Sequence, residues 1–345
     1  MPERPGAPGP TEFRVTRARI AHAPLTRRRF LRAGLAAAAS GLVLPAAACA
    51  PVPPADSIMV AGGEQGGFYL EFATLLAQSL ERHGVARHAS TLETGGSVAN
   101  MDRIATGGAA LGISLADAAA NGINSIAGPA PSSAPASPRL MALARVYENY
   151  VHLLVRKDSG IAAVADLAGR AVGVGAPGAG TSFTAHRLLE AAGVTVREES
   201  LGLNQGLAAL RTGDIEALFW SGGVPTAAVA TATKDVGLRL IDLSPLIAPT
   251  RARFGEYYER VLVPAGAYEG IPSTWTVGAA NLLLCREDLH ADTVRATVNL
   301  LLTHASELVP STSLGVQFLS PETLINTAGI PLHPAAEAAY REFHG

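Results

Sequence analysis

The stretch Ser57-Ile58-Met59-Val60-Ala61-Gly62-Gly63-Glu64-Gln65-Gly66-Gly67-Phe68-Tyr69 reads as an apolar strand, a glycine-rich loop and the first turn of a helix. The helix predicted over 68–83 carries an apolar stripe of Leu70, Phe72, Ala73, Leu75, Leu76 and Leu80. The same device recurs at Glu93-Thr94-Gly95-Gly96-Ser97-Val98-Ala99-Asn100 and at Gly175-Ala176-Pro177-Gly178-Ala179-Gly180-Thr181-Ser182. A helix N-terminus presents unpaired N–H groups and a partial positive charge, and so attracts anions. Three such ends facing one cleft would hold a carboxylate or phosphate without lysine or arginine. Glycine in tight turns explains one such loop by itself. It explains less well the polar groups beside each: Tyr69, then Ser97 and Asn100, then Thr181 and Ser182.

Beyond these loops, strands are expected at 89–93 and 111–114, helices at 97–106 and 115–121, and apolar strands at 140–145 and 152–156. A strand at 171–175 enters the third loop. Helices at 181–192 and 204–212 and strands at 215–220 and 237–242 continue the alternation, and a helix over 293–308 begins the return of the tail. Alternating strands and helices predict an α/β fold of doubly wound sheets. Residues 128–139, rich in Pro, Ser and Ala, read as a surface loop without chemistry. Trp220 stands at the C-terminal end of a strand, where α/β sheets form ligand crevices.

The first 49 residues read as an export address. Arg27-Arg28-Arg29-Phe30-Leu31 precedes a weakly apolar run and Ala46-Ala47-Ala48-Cys49, the pattern of a twin-arginine-type signal. Cys49 fits either the lipidated end of a lipobox or a residue just beyond a signal cleavage site, and Pro51, Pro53 and Pro54 would make a tether over 50–56. Of 27 basic and 29 acidic residues, eight arginines and two glutamates lie in 1–49, leaving 19 against 27 and a net charge of −8 beyond it. That acidity argues against nucleic acid as a partner. With Cys49 set aside, Cys285 is alone in the apolar run Asn281-Leu282-Leu283-Leu284-Cys285, as a small buried hydrophobe. No CxxC pair, HExxH or other metal-ligand spacing is present, and no Gly-x-Ser-x-Gly nucleophile elbow. No metal, cofactor or catalytic residue is therefore expected.

Two enzyme-like patterns compete at the third loop. Gly175-x4-Gly180-Thr181-Ser182 has a P-loop outline, but Thr181 stands where the phosphate-binding lysine is required. Gly173-x-Gly175-x-x-Gly178, with Glu198 about twenty residues on, matches a dinucleotide fingerprint. An exported dinucleotide-binding oxidoreductase is thus an alternative, and a ligand-sensing lipoprotein is another.

The motifs Gly66-Gly67-Phe68-Tyr69, Thr94-Gly95-Gly96-Ser97-Val98-x-Asn100, Leu111-Gly112-Ile113-Ser114-x-x-Asp117, Val155-Arg156-Lys157-Asp158-Ser159-Gly160-Ile161, Asp166-Leu167-x-Gly169-Arg170-x-Val172, Pro177-Gly178-x-Gly180-Thr181, Gly223-Val224-Pro225 and Val263-Pro264-Ala265-Gly266-x-Tyr268 occur in this order. The set resembles the TAXI family of solute receptors, which serve tripartite ATP-independent periplasmic (TRAP) transporters. The resemblance implies a two-lobed periplasmic-binding-protein-like fold of type II. Lobe 1 would be 57–152 plus 288–345 and lobe 2 would be 153–287, joined by hinge strands. It implies a monomeric periplasmic receptor that delivers a small anionic solute, a glutamate-like amino acid or dicarboxylate, to a TRAP-type membrane permease. Carried over by position, its pocket would use Tyr69, Ser97, Asn100, Ser114, Thr181, Ser182, Trp220 and Pro225, beside the loop glycines Gly67 and Gly180. Ala179 in place of a common serine, Trp220 in place of Phe or Tyr, and Phe68 in place of Thr or Ser are departures that bear on the solute.

Overall fold

The computed structural model describes residues 53–126, 138–310, 313 and 319–345. The signal segment, Cys49 and most of the 128–139 loop lie outside the described residues. Strand β1 (Ala55–Ala61) begins inside the stretch expected as tether, because its early residues pair with β2 (Ala86–Leu92), Ala55 opposite Ala86 and Ser57 opposite His88. Between them runs α1 (Phe68–Arg82), with Phe68, Phe72, Ala73, Leu76 and Leu80 buried. Then follow α2 (Ser97–Ala105), β3 (Leu111–Leu115) and α3 (Ala116–Ile126).

The apolar runs expected as two strands, 140–145 and 152–156, are one strand, β4 (Leu140–Arg156). Polar Glu148 and Asn149 interrupt the sequence pattern but are buried with the rest. The chain continues as β5 (Ala171–Gly173), α4 (Gly180–Ala192), β6 (Arg197–Glu199), α5 (Leu203–Thr212), β7 (Ala217–Gly222), α6 (Ala227–Val236), β8 (Leu238–Leu240), α7 (Ile247–Phe254) and β9 (Tyr258–Val263). Then come the second long strand, β10 (Thr274–Arg286), and α8 (Ala291–Thr303), α9 (Pro321–Leu324) and α10 (Pro334–His344). The helix expected over 293–308 stops at Thr303, and a 3-10 turn covers Ala305–Leu308.

Among the described residues the strands form one 10-stranded mixed sheet in the order β2-β1-β3-β10-β4-β7-β5-β6, with β8 on β4 and β9 on β10. β1, β2 and β3 are parallel, as are β5, β6 and β7. β4 and β10 run antiparallel to each other, β10 is antiparallel to its neighbour β3 and β4 to its neighbour β7, and both pass through the middle of the sheet. They link the two lobes. The C-terminal half of β10 pairs with β3, whereas its N-terminal half pairs with β9.

Helices cover both faces of each lobe, so the long strands are apolar on both sides. In β10, Leu283 and Cys285 enter one core with α1, α8 and α10, while Leu282 and Leu284 enter another with α2 and α3. In β4, Leu154 packs with α5 and α6, and Leu153 and Val155 pack with α4 and α7. This alternation follows from the two-residue period of a strand. Cys285 is buried, as its apolar neighbours predict, and burial pushes its thiol pKa up. The tail returns to lobe 1, where the buried Tyr340 hydroxyl donates to the Leu143 carbonyl at 2.9 Å.

Candidate functional site

The three glycine-rich loops converge between the lobes. Gly63, Glu64, Gly67 and Tyr69 of the first, Gly95, Gly96 and Ser97 of the second, and Ala179, Gly180 and Thr181 of the third border a cavity of about 20 Å³. Asn149 of β4 and Trp220, Ser221 and Gly222 of β7 close it. The helices α1, α2 and α4 start there, with Gly67, Gly96 and Ala179 as N-cap residues. None of these has a side-chain acceptor, so the first-turn N–H groups are left to partners from outside the helix. For α2 that partner lies across the cleft: Val98 and Ala99 N–H donate to the Gly178 carbonyl at 3.1 and 3.2 Å.

Glycine is required here by close approach. A Cβ on Gly180 would run into Ser97 Oγ and lie 2.8 Å from Leu115 Cδ1. Gly96 has φ +117° and Gly178 φ +77°, conformations that other residues adopt at a cost.

Of the pocket residues expected from sequence, Gly67, Tyr69, Ser97, Gly180, Thr181 and Trp220 border the cavity. Their side chains are held from behind. Leu115 N–H donates to Ser97 Oγ at 3.1 Å, which is 3.3 Å from the Tyr69 hydroxyl; that hydroxyl donates to Asn281 Oδ1 at 2.5 Å. Ser221 N–H donates to Thr181 Oγ1 at 3.1 Å. Trp220 Nε1 donates to Thr226 Oγ1 at 3.0 Å, and Thr226 N–H donates to the Tyr268 hydroxyl oxygen at 2.9 Å. Tyr268 in turn meets His152 Nε2 at 2.9 Å. Burial lowers the His152 pKa to about 4. The neutral ring donates from Nδ1 to the Tyr150 carbonyl and accepts from Tyr268, which fixes the tautomer.

Four residues of the expected pocket do not border the cavity. Asn100 is fully buried beneath it, donating from Nδ2 to the Gly62 and Ile113 carbonyls at 2.5 and 2.8 Å and accepting from Thr94 Oγ1 at 2.5 Å. It holds the first loop against α2 and β3. Ser114 turns to its neighbour's carbonyl on Leu115, 3.2 Å away. Ser182 lies 3.4 Å from His186 Nδ1, and His186 pairs with Glu198 at 3.0 Å. The ribose acid of a dinucleotide fingerprint is thus engaged with a histidine of α4. Pro225 follows a cis peptide bond beyond Gly222, in the loop braced by Thr226.

Asn149 and Glu64 also border the cavity and are not among the pocket residues expected from sequence. Asn149 donates to Ser221 Oγ at 2.7 Å and leaves Oδ1 without a partner although it is buried. Its signal in the sequence is a polar break in an apolar run. Glu64 is the one charge inside the first loop; its Oε2 accepts from Leu203 N–H at 2.7 Å, at the start of α5 in the other lobe. Burial raises its pKa, against the lowering effect of the Leu203 bond. Asn204 Nδ2 adds a bond to the Gln65 carbonyl at 3.0 Å. Behind the cavity, buried Asp117 of α3 accepts from Tyr258 at 2.9 Å and Thr184 at 3.2 Å, both from lobe 2.

The arrangement can hold a small polar molecule on fixed dipoles, beside an aromatic wall of Tyr69 and Trp220. The model of the NMT1-like family matches residues 60–343. Among solved structures, a protein from Bordetella bronchiseptica RB50 superposes with a TM-score of 0.53 at 18% identity, covering 84% of this chain and 98% of that one. The periplasmic aliphatic sulphonate binding protein SsuA from Escherichia coli gives 0.42 at 15% identity, covering 83% of each chain. The GluR0 ligand-binding core from Nostoc punctiforme, solved in complex with L-glutamate, gives 0.41 at 14% identity, covering 70% of this chain and 92% of that one. The architecture, two α/β lobes linked by a pair of antiparallel strands, is a periplasmic-binding-protein-like fold.

Proposed function

The chain belongs to the NMT1-like family, and within it we propose that this protein is an extracytoplasmic solute receptor rather than an enzyme. The observation that carries this reading is the convergence of three helix N-termini, none capped by its own side chain, on one cavity between two lobes. Such an array favours an anionic group through its dipoles and through first-turn N–H donors of α1 and α4, since Val98 and Ala99 of α2 already donate to Gly178. The solute class is a small carboxylate, a glutamate-like amino acid or a dicarboxylate, with Thr181 and Ser97 adding hydroxyls and Tyr69 and Trp220 packing on its carbon atoms. The free volume of this cavity is about 20 Å³, near that of one water. A glutamate-sized solute exceeds that volume and therefore enters by parting of the lobes about β4 and β10, and closure buries it.

The finer assignment is to the TAXI receptors of TRAP permeases. It is supported by the ordered motifs that run from Gly66-Gly67-Phe68-Tyr69 through Gly223-Val224-Pro225 to Val263-Pro264-Ala265-Gly266. The arginine-rich leader supports a location outside the cytoplasm.

The test is native mass spectrometry of the purified chain, followed by a thermal-shift screen of amino acids and dicarboxylates. The expected result is a bound acidic metabolite, a melting point raised by mass action, and weaker binding in Thr181→Ala. A co-purifying dinucleotide would overturn the receptor reading in favour of an oxidoreductase.

A further inference from the structure

At the end of α1 opposite the cleft, two helices of lobe 1 finish side by side. α1 ends at Arg82 with His83 as its C-cap, and α8 ends at Thr303 with His304 as its C-cap. The two imidazole rings stack, with centroids 3.7 Å apart and planes at 20°. Glu307, on the following 3-10 turn, faces both: its carboxylate oxygens lie 3.0 and 3.1 Å from His83 Nε2, and Oε1 lies 3.6 Å from His304 Nδ1. One nitrogen from each histidine and one carboxylate oxygen all fall within 4.8 Å of one another.

Two features make this more than a surface ion pair. The C-terminal ends of two helices meet here, and each carries a partial negative charge that favours a cation. The carboxylate is also oriented from behind, because Ser79 Oγ at 2.9 Å and Arg82 at 2.6 Å both donate to Oε2. Such outer partners position a ligating carboxylate.

We propose that His83, His304 and Glu307 bind a divalent transition metal ion of the zinc type, joining the C-terminal ends of α1 and α8. Two imidazoles and one carboxylate suit Zn²⁺ and its neighbours, whereas Mg²⁺ and Ca²⁺ prefer oxygen ligands. In the sequence only His304 and Glu307 stand close, three residues apart, and His83 joins them through the packing of the tail on α1.

The test is calorimetric titration of the full chain with ZnCl₂ in a Cys49→Ala background, which removes the leader thiol. The expected result is one site, a raised melting point, and no response to MgCl₂. His304→Ala and His83→Ala should each weaken binding about tenfold or more and remove the melting-point shift, with the fold checked by circular dichroism. Absence of zinc binding, or zinc binding unchanged in both variants, would overturn the proposal.

Discussion

Single residues at the centre of the sheet carry consequences out of proportion to their number. Glu148 is buried on β4, bonded through Oε2 to Arg145 at 2.5 Å, with Oε1 unpartnered. Burial outweighs Arg145, and with Glu259 nearby the pKa rises to about 7. Between the ordinary carboxylate range and pH 7 the folded state therefore holds a proton that the unfolded chain has released. The resulting stabilisation is full below that range and is lost as pH rises through 7, on the order of 3 kcal/mol. Glu148→Gln should flatten the stability profile between pH 5 and 8, measured by urea unfolding; an unchanged profile would remove Glu148 as its source. Asn100→Ala would remove the amide that donates to the Gly62 and Ile113 carbonyls, leaving Thr94 Oγ1 as the side-chain donor to Gly62. A loss of about 1–3 kcal/mol is expected in the same assay. Asn100 is legible in the sequence as a residue that matters, but its neighbours there offer no way to tell a ligand contact from a brace.

Among the elements, the long strands are the hardest to read. Glu148 and Asn149 make β4 look like two strands because polar residues usually mark a strand end. In the fold they pass through the junction of the lobes, where Arg145 and Ser221 supply their partners. β10 shows only its apolar half in the sequence. Its Gly278 lets β9 and β4 approach: a Cβ there would lie 2.6 Å from Val261 Cγ1 and 2.7 Å from Glu148 Oε1. Gly278→Ala should destabilise the protein by about 1–3 kcal/mol through overpacking, read as a lower urea midpoint. A midpoint equal to that of the parent would show that β9 yields without cost. The helices α1, α2 and α4 are readable because each couples an apolar stripe to a glycine-rich start.

In the complete fold, closure rests on a few bonds between lobes. Glu64 accepts from Leu203 N–H, and the Gln65 carbonyl accepts from Asn204. Glu64→Ala should shift the balance toward the open form by about tenfold, seen as a larger radius of gyration in small-angle scattering with little change in melting point. An unchanged radius would place the closure energy elsewhere, for example at Asp117 with Tyr258 and Thr184. The α/β class, the three loop-to-helix junctions and the apolar character of the central strands are all written in the chain itself, because strand and helix periods and glycine-rich turns are local properties. Packing alone settles that the three helix starts face one cavity, that Asn149 and Glu64 border it while Asn100, Ser114, Ser182 and Pro225 do not, and that His83 meets His304. Those outcomes depend on which distant segments come together, and no local pattern encodes the direction in which a buried polar side chain finds its partner.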